Sequence, residues 1–338
     1  MRVLFVTNMW PSEERPGAGV FVAAQARSLE SLGVRIAVHV IAGHRHPSRY
    51  LTDAWRIRSL ALSSRCDLVH AHYGLSGWTA AWQPSPLVIS FCGDDLLGTP
   101  ARGGGLTFKS RVAAAMSQWV ARRAAGLVCK SPNLRAALRH PEDRDRAEVI
   151  PNGVDLTRFR PGSRTEARRR LGIPSDAQVI LFPHNPGQAA QKRFDLAMQT
   201  MDLLRPRLPD AELLQVSGVP HAEMPDFFRA ANCLLVTSKS EGSPNVVKEA
   251  LATGLPVVSV DVGDVAGWLA RVTGCRIARP TADELAMAVE QVLRAGEQVD
   301  ASPVLSELDE RVAARRLIAL YERILAGAAG KPWQVALT

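Results

Sequence analysis

The sequence predicts an α/β protein built from two doubly wound Rossmann-like domains. Three observations carry this expectation. Apolar runs of a buried-strand kind alternate with amphipathic helical segments twice over, once up to about residue 150 and again from Gln178. A compact, turn-rich junction, IPNGVDLTRFRP, separates the two series. The stretch Ser238 to Asp261, SKSEGSPNVVKEALATGLPVVSVD, then reads strand, loop, helix, strand. That order sets a polar loop at the carboxyl end of a parallel sheet, where open α/β folds bind ligands.

In the first half, RVLFVTN (2–8) is a strand, and the loop after it holds Gly17 and Gly19. A helix from Val20 to Leu32 follows, with Phe21, Ala24, Leu29 and Leu32 at helical spacing and Gly33 as its stop. RIAVHVI (35–41) is the second strand. The glycine spacing Gly17-x-Gly19-x-x-Val22 lacks a third glycine, and no acid closes the second strand. An NAD site is therefore not expected. Residues 50–64 read as a helix, DLVHAHY and PLVIS as strands, 106–125 as a basic amphipathic helix, GLVCK as a strand, SPNLRAALR as a helix and AEVI as the last strand of this half.

The second half repeats the pattern. QVILFP (178–183) leads through the loop HNPGQAAQ into the helix KRFDLAMQTMDLLRP, and ELLQVSG is the next strand. EMPDFFRAA is a short helix, CLLV a buried strand, and two helices at 281–296 and about 305–327 end the chain. The boundary is placed so that one domain covers 1–161 and the other 162–305, with a helix in 306–338 crossing back toward the first. The motive for the crossing is the amphipathic tail RLIALYERIL, which follows a domain already complete in strands.

Within the central stretch, Glu241 falls in the loop and Glu249 one turn past the helix start, so the two carboxylates suit opposite ends of one ligand. Between them Gly242, Ser243, Pro244, Asn245 and Val246 offer backbone groups at a helix N-terminus, a natural anion cradle. An anion site flanked by hydroxyl-accepting carboxylates suits a sugar diphosphate nucleotide. The alternative is that a glutamate in the first turn only complements the helix dipole.

The string EGSPNVVKEALATGLPVV as a whole resembles the donor-site motif (a Glu, seven residues, then Glu) of the family 4 retaining glycosyltransferases of GT-B fold, the group 1 glycosyltransferases. IPNGVDLTRFRP resembles the domain junction of that family, and HAHYGLSG and SFCGDDL resemble two loops of its first domain. The resemblance implies two domains facing a cleft, with the acceptor on the first and the donor on the second. It implies that Glu241 touches the donor sugar, Glu249 the ribose, and Lys192 the diphosphate. Gly17 and Gly19 would lie near the diphosphate and acceptor. Two departures stand out. Cys92 occupies the place of a family His, with His72 a candidate to serve nearby or else a buried imidazole satisfied by backbone, and the diphosphate Arg falls at Asn185 or a neighbour, with Arg193 or an N-terminal arginine as a substitute. Asp94 and Asp95 read as loop caps in preference to metal ligands.

The expected reaction is transfer of a sugar from a nucleotide diphosphate sugar to an acceptor hydroxyl in glycan, glycolipid or natural-product biosynthesis, with no cofactor and no metal. Two alternatives stay open: a GT-B nucleotide-sugar epimerase or phosphorylase, and a binding subunit that has lost catalysis. Charge bears on partners. Residues 1–160 hold 21 Lys and Arg against 12 Asp and Glu, while the remainder holds 20 against 21. A basic first half admits nucleic acid, an anionic membrane surface, an acidic acceptor or merely an arginine-rich surface. No nucleic-acid motif or aromatic stacking platform accompanies it, so nucleic acid is not expected, while peripheral membrane contact, an acidic acceptor and a merely arginine-rich surface all stay open. No run of about 18 apolar residues predicts a spanning helix, and MRVLFVTNMWP reads as a first strand in preference to a signal peptide. Five widely spaced cysteines without a CxxC pair suit reduced thiols in the cytoplasm, possession of an inner-membrane contact being compatible with that.

Overall fold

The computed structural model describes residues 1–43, 45–99, 105–184, 189–297 and 299–328. The chain divides into two compact units, one formed by Met1–Gly153 with Glu310–Thr338 and the other by Val154–Asp309.

Among the described residues the first unit carries six parallel strands: β1 (Arg2–Thr7), β2 (Arg35–Val40), β3 (Leu68–His72), β4 (Leu87–Phe91), β5 (Gly126–Cys129) and β6 (Ala147–Val149). Their order is β2-β1-β3-β4-β5-β6. The central strands are apolar nearly throughout because helices cover both faces, so LVISF of β4 is buried at every position. β2 is the edge, and its Val38 and Val40 are exposed. Alternation along β1 sends Leu4 and Val6 to one face, with Ile57 and Val120, and Val3 and Phe5 to the other, with Leu29 and Leu317. The helix Val20–Ser31 starts at Gly19, whose φ is 67° and whose Cβ, if present, would lie 2.3 Å from Met9 O. Only glycine fits there.

The second unit, again among the described residues, has β7 (Gln178–Pro183), β8 (Ala211–Val216), β9 (Cys233–Val236), β10 (Val257–Val260) and β11 (Arg276–Ala278) in the order β11-β10-β9-β7-β8. All of its pairs are parallel. In both units the first strand lies between the second and the third. Connections therefore leave that strand in opposite directions, which creates a topological switch point at the carboxyl ends of β1 and β3 and another at β7 and β9.

The division between units differs from the sequence boundary after residue 161: it falls after Gly153. Val154 and Phe159 are buried in the second unit's core, and Arg229 donates to Arg158 O at 2.8 Å and to Arg160 O at 3.1 Å. The tail differs too. The single helix expected at 305–327 is two, Ser302–Leu308 and Glu310–Ala328, because Asp309 is extended and bridges to Val154, whose N–H donates to Leu308 O at 2.7 Å. The longer helix belongs to the first unit, where Ala314, Leu317 and Tyr321 are buried and the Tyr321 hydroxyl lies 2.5 Å from His70 Nδ1. Among the described residues no helix is long and apolar enough to cross a membrane.

Candidate active site

The switch point of the second unit gathers the residues singled out in its sequence. Beyond β7 the short helix Ala189–Lys192 ends at Arg193, whose φ of 52° turns the chain before the helix Phe194–Leu204. Beyond β9, Thr237 places its hydroxyl 2.6 Å from Lys192 O and 3.0 Å from Arg193 O, bracing that turn. Two further bonds, Lys239 N–H to Gln191 O at 2.8 Å and Gln191 Nε2 to Ser240 O at 3.0 Å, tie the two loops together. The outcome is a charge-assisted contact: Lys192 Nζ lies 2.6 Å from Glu241 Oε1, with both side chains mostly buried.

The loop Gly242–Pro244 then enters the helix Asn245–Ala252. Pro244 is its N-cap and has no N–H, so the expected cradle loses one of its five members. Its amides are those of Gly242, Ser243, Asn245 and Val246. The Ser243 side chain faces inward: its hydroxyl donates to Asp264 Oδ2 at 2.8 Å and accepts from the buried Lys248 Nζ at 3.0 Å. Trp268 Nε1 donates to the same Asp264 oxygen at 2.9 Å. The Ser243 side chain thus pins the loop from within.

Glu249 projects from the same helix and is largely buried. Its Oε1 lies 2.8 Å from His221 Nε2. Nothing in the sequence reading pointed to His221, which sits 28 positions earlier in the turn after β8. A histidine in a β-strand exit loop was the available signal.

The remaining candidates are dispersed. The Arg193 guanidinium pairs with Asp195 at 3.0 Å and lines a cavity of about 430 Å³ with Thr237, Ser238, Lys239, Asp261 and Arg279. That cavity includes none of Lys192, Glu241 and Glu249. Arg193, expected as a substitute for the missing diphosphate arginine, has Asp195 as its partner in this structure. Asn185 lies outside the described residues. In the first unit Gly19 is required by the helix start, whereas Gly17 has open space around its Cβ direction.

His72 is fully buried at the end of β3, where Nε2 accepts from Gln25 Nε2 at 3.0 Å and the ring stacks on His70 at 4.3 Å. Burial, then the neighbouring His70 and Lys130, holds its pKa well below the ordinary histidine value. The imidazole is therefore neutral and enclosed, and its hydrogen-bond partner is the Gln25 side chain and not the backbone. Cys92 is a thiol: burial, with the Asp95 carboxylate adding to it, pushes its pKa well up. Asp95 accepts N–H bonds from Gly93 at 2.8 Å and from Cys92 and Gly74 at 3.1 Å, joining two loops as a cap does. Burial still raises its pKa to about 7. Among the described residues no group of three or more His, Cys, Asp or Glu side chains is arranged to hold a metal ion.

Solved structures share this architecture, which is the GT-B fold. Sucrose-phosphate synthase from Thermosynechococcus elongatus superposes with a TM-score of 0.80 at 16% identity, covering 96% of this chain and 99% of that one. Anabaena HepE in complex with UDP and glucose gives 0.66 at 15% identity, over 98% and 100%. The model of Glycosyltransferase Family 4 matches residues 2–158, and that of Glycosyl transferases group 1 matches 205–295. The chain belongs to the group 1 glycosyltransferases of glycosyltransferase family 4, enzymes of class EC 2.4. A Bacillus subtilis protein named as the teichuronic acid biosynthesis glycosyltransferase TuaC is 26% identical over 93% of this chain and 94% of its own length. D-inositol 3-phosphate glycosyltransferase 1 of Catenulispora acidiphila is 32% identical over 58% of this chain, which spans about half of that protein (56%).

Proposed function

We propose that this glycosyltransferase moves a sugar from a nucleotide diphosphate sugar to an acceptor hydroxyl with retention at the anomeric carbon, without a cofactor or metal. One observation carries the reading: Lys192 and Glu241 are held 2.6 Å apart at a switch point, beside the amides of a helix that also bears Glu249. HepE, of the same fold, binds UDP and glucose, which supports a nucleotide-linked donor here. In this reading the diphosphate lies against Lys192 and the N–H groups of Gly242, Ser243, Asn245 and Val246. As the bond from the anomeric carbon to the phosphate oxygen breaks, negative charge grows on the diphosphate, and these fixed donors stabilise it. The acceptor oxygen bonds the anomeric carbon, and its proton passes to the departing phosphate oxygen. Glu241 faces the sugar and Glu249 the ribose hydroxyls.

The test is incubation with UDP-, GDP-, ADP- and TDP-sugars, reading nucleoside diphosphate release and the anomeric configuration of the product by NMR. One donor should be turned over with retention. An inverted product would overturn the stereochemical claim, and isomerised donor without transfer would favour the epimerase.

A second reading concerns where the acceptor is met, and a surface of the first unit favours it. Trp82 lies 6.3 Å from Trp78 and 6.1 Å from Trp119, Arg123 sits 3.8 Å above the Trp119 ring, and Arg58 donates to Trp82 O at 3.1 Å. Exposed tryptophans joined to arginines suit the headgroup level of an anionic bilayer, and we propose peripheral contact there.

A further inference from the structure

Glu249 has two carboxylate oxygens, and the described residues engage one. Oε1 is 2.8 Å from His221 Nε2, and no partner for Oε2 is found among the described residues. A carboxylate only accepts, so the proton on this bond is the imidazole's. The imidazole is itself held. Its ring lies 5.1 Å from that of Phe159, which is buried and packs edge-on against Phe228 at 5.9 Å. Phe159 belongs to the junction segment 150–161 and His221 to the turn after β8, so two distant stretches converge on a single carboxylate.

A glutamate side chain left to itself samples several rotamers, and binding must select one at an entropic cost. A ring that packs on Phe159 and bonds Oε1 reduces that freedom before any ligand arrives. We infer that His221 is a positioning residue for the donor nucleoside. By holding Glu249 Oε1 it turns Oε2 toward the ribose, so recognition of the 2′- and 3′-hydroxyls depends on an imidazole supplied by the β8 turn. The inference rests on the donor reading above, and it adds a residue with a separate, testable task. A histidine that only steadied the fold would affect every nucleotide equally. One that aims Oε2 affects only nucleotides with a diol to offer.

Two substitutions divide the side chain's properties. His221→Phe keeps a ring against Phe159 and removes the N–H. His221→Gln removes the ring and keeps an N–H donor for Oε1. Calorimetry with UDP, GDP and ADP identifies the nucleoside diphosphate bound most tightly by the unaltered protein, and its 2′,3′-dideoxy counterpart is the second probe. His221→Phe should weaken the diol ligand about tenfold, the equivalent of one charge-assisted hydrogen bond, while changing the dideoxy ligand less than about twofold. His221→Gln should restore most of the loss, and Glu249→Gln combined with His221→Phe should lose little more than Glu249→Gln alone. Equal weakening of both ligands by His221→Phe, or no weakening of either, overturns the positioning role while leaving the donor reading standing. Failure of the unaltered protein to bind any of the three diphosphates overturns the donor reading, and this inference with it.

Discussion

Lys192 Nζ sits 2.6 Å from Glu241 Oε1, although 49 positions separate the two residues, because the exits of β7 and β9 are adjacent at the switch point. The cation is thereby aimed before a ligand is present, which is the condition for stabilising charge in a transition state without reorganisation. Lys192→Ala should lower kcat by roughly 10²-fold. Combining it with Glu241→Gln should cost much less than the product of the two single losses, since the residues share one contact. Single-turnover rates of nucleotide release on the three variants check this.

Gly153 tests the division of the chain. A Cβ there would lie 2.2 Å from Glu310 Cα and 2.6 Å from Glu310 N, and backbone atoms do not move aside as a side-chain tip does. Gly153→Ala should destabilise the first unit by about 2 kcal/mol or more, within the range for overpacked sites. A thermal melt with an unchanged midpoint would show that this close approach is relieved at little cost.

The strands were legible because strands buried on both faces leave long apolar runs, as in Val3–Val6 and Cys233–Val236. Glu241, Glu249 and Lys192 were legible through a resembled motif, and what that motif did not contain went unseen. His221 lies in a turn with no periodicity, and only the fold brings it to Glu249. The unit boundary was misplaced because the junction's allegiance depends on where Val154 and Phe159 find a core, which is a tertiary matter. The break at Asp309 has no glycine or proline to announce it and arises from its bridge to Val154. Inward-facing Ser243 and Arg193 paired with Asp195 likewise depend on partners that spacing does not reveal.

The stacked pair His70 and His72 makes the first unit sensitive to acid. Burial is the largest cause holding both well below their ordinary value of 6.5. Below that pH the unfolded chain binds protons that the folded one refuses, so stability is present above about pH 6.5 and is lost as pH falls. The two together give a slope of about 2.7 kcal/mol per pH unit. Asp95, raised to about 7, acts in the opposite sense, since its retained proton makes stability fall as pH rises from about 4 toward 7. The comparison is therefore between variants. His72→Gln should reduce the acid slope by about 1.4 kcal/mol per pH unit in urea unfolding at about pH 7, 6 and 5. An unchanged slope would mean that His72 takes up a proton in the folded state.

If the surface bearing Trp82, Trp119 and Arg123 meets lipid, the protein should sediment with vesicles rich in anionic phospholipid at low ionic strength and release steeply as salt rises. Replacing Trp82 and Trp119 by Ser should weaken that binding at least about tenfold, through loss of aromatic contact at the headgroup level. Indifference of the unaltered protein to anionic vesicles would remove the membrane reading.

The central claim is that one helix and its loop divide the work between two glutamates. In the proposed donor site Glu249, held by His221, faces the ribose, whose interactions are nearly the same in ground and transition states. Glu241, held by Lys192, faces the sugar where charge develops in that proposal. Steady-state kinetics on Glu249→Gln and Glu241→Gln, each checked for folding by circular dichroism, is the most direct measurement. Glu249→Gln should raise the donor KM with kcat within a few-fold, and Glu241→Gln should lower kcat by roughly 10²-fold. Unchanged donor binding and turnover in both variants would contradict that division of work, leaving the two pairs as features of the fold alone.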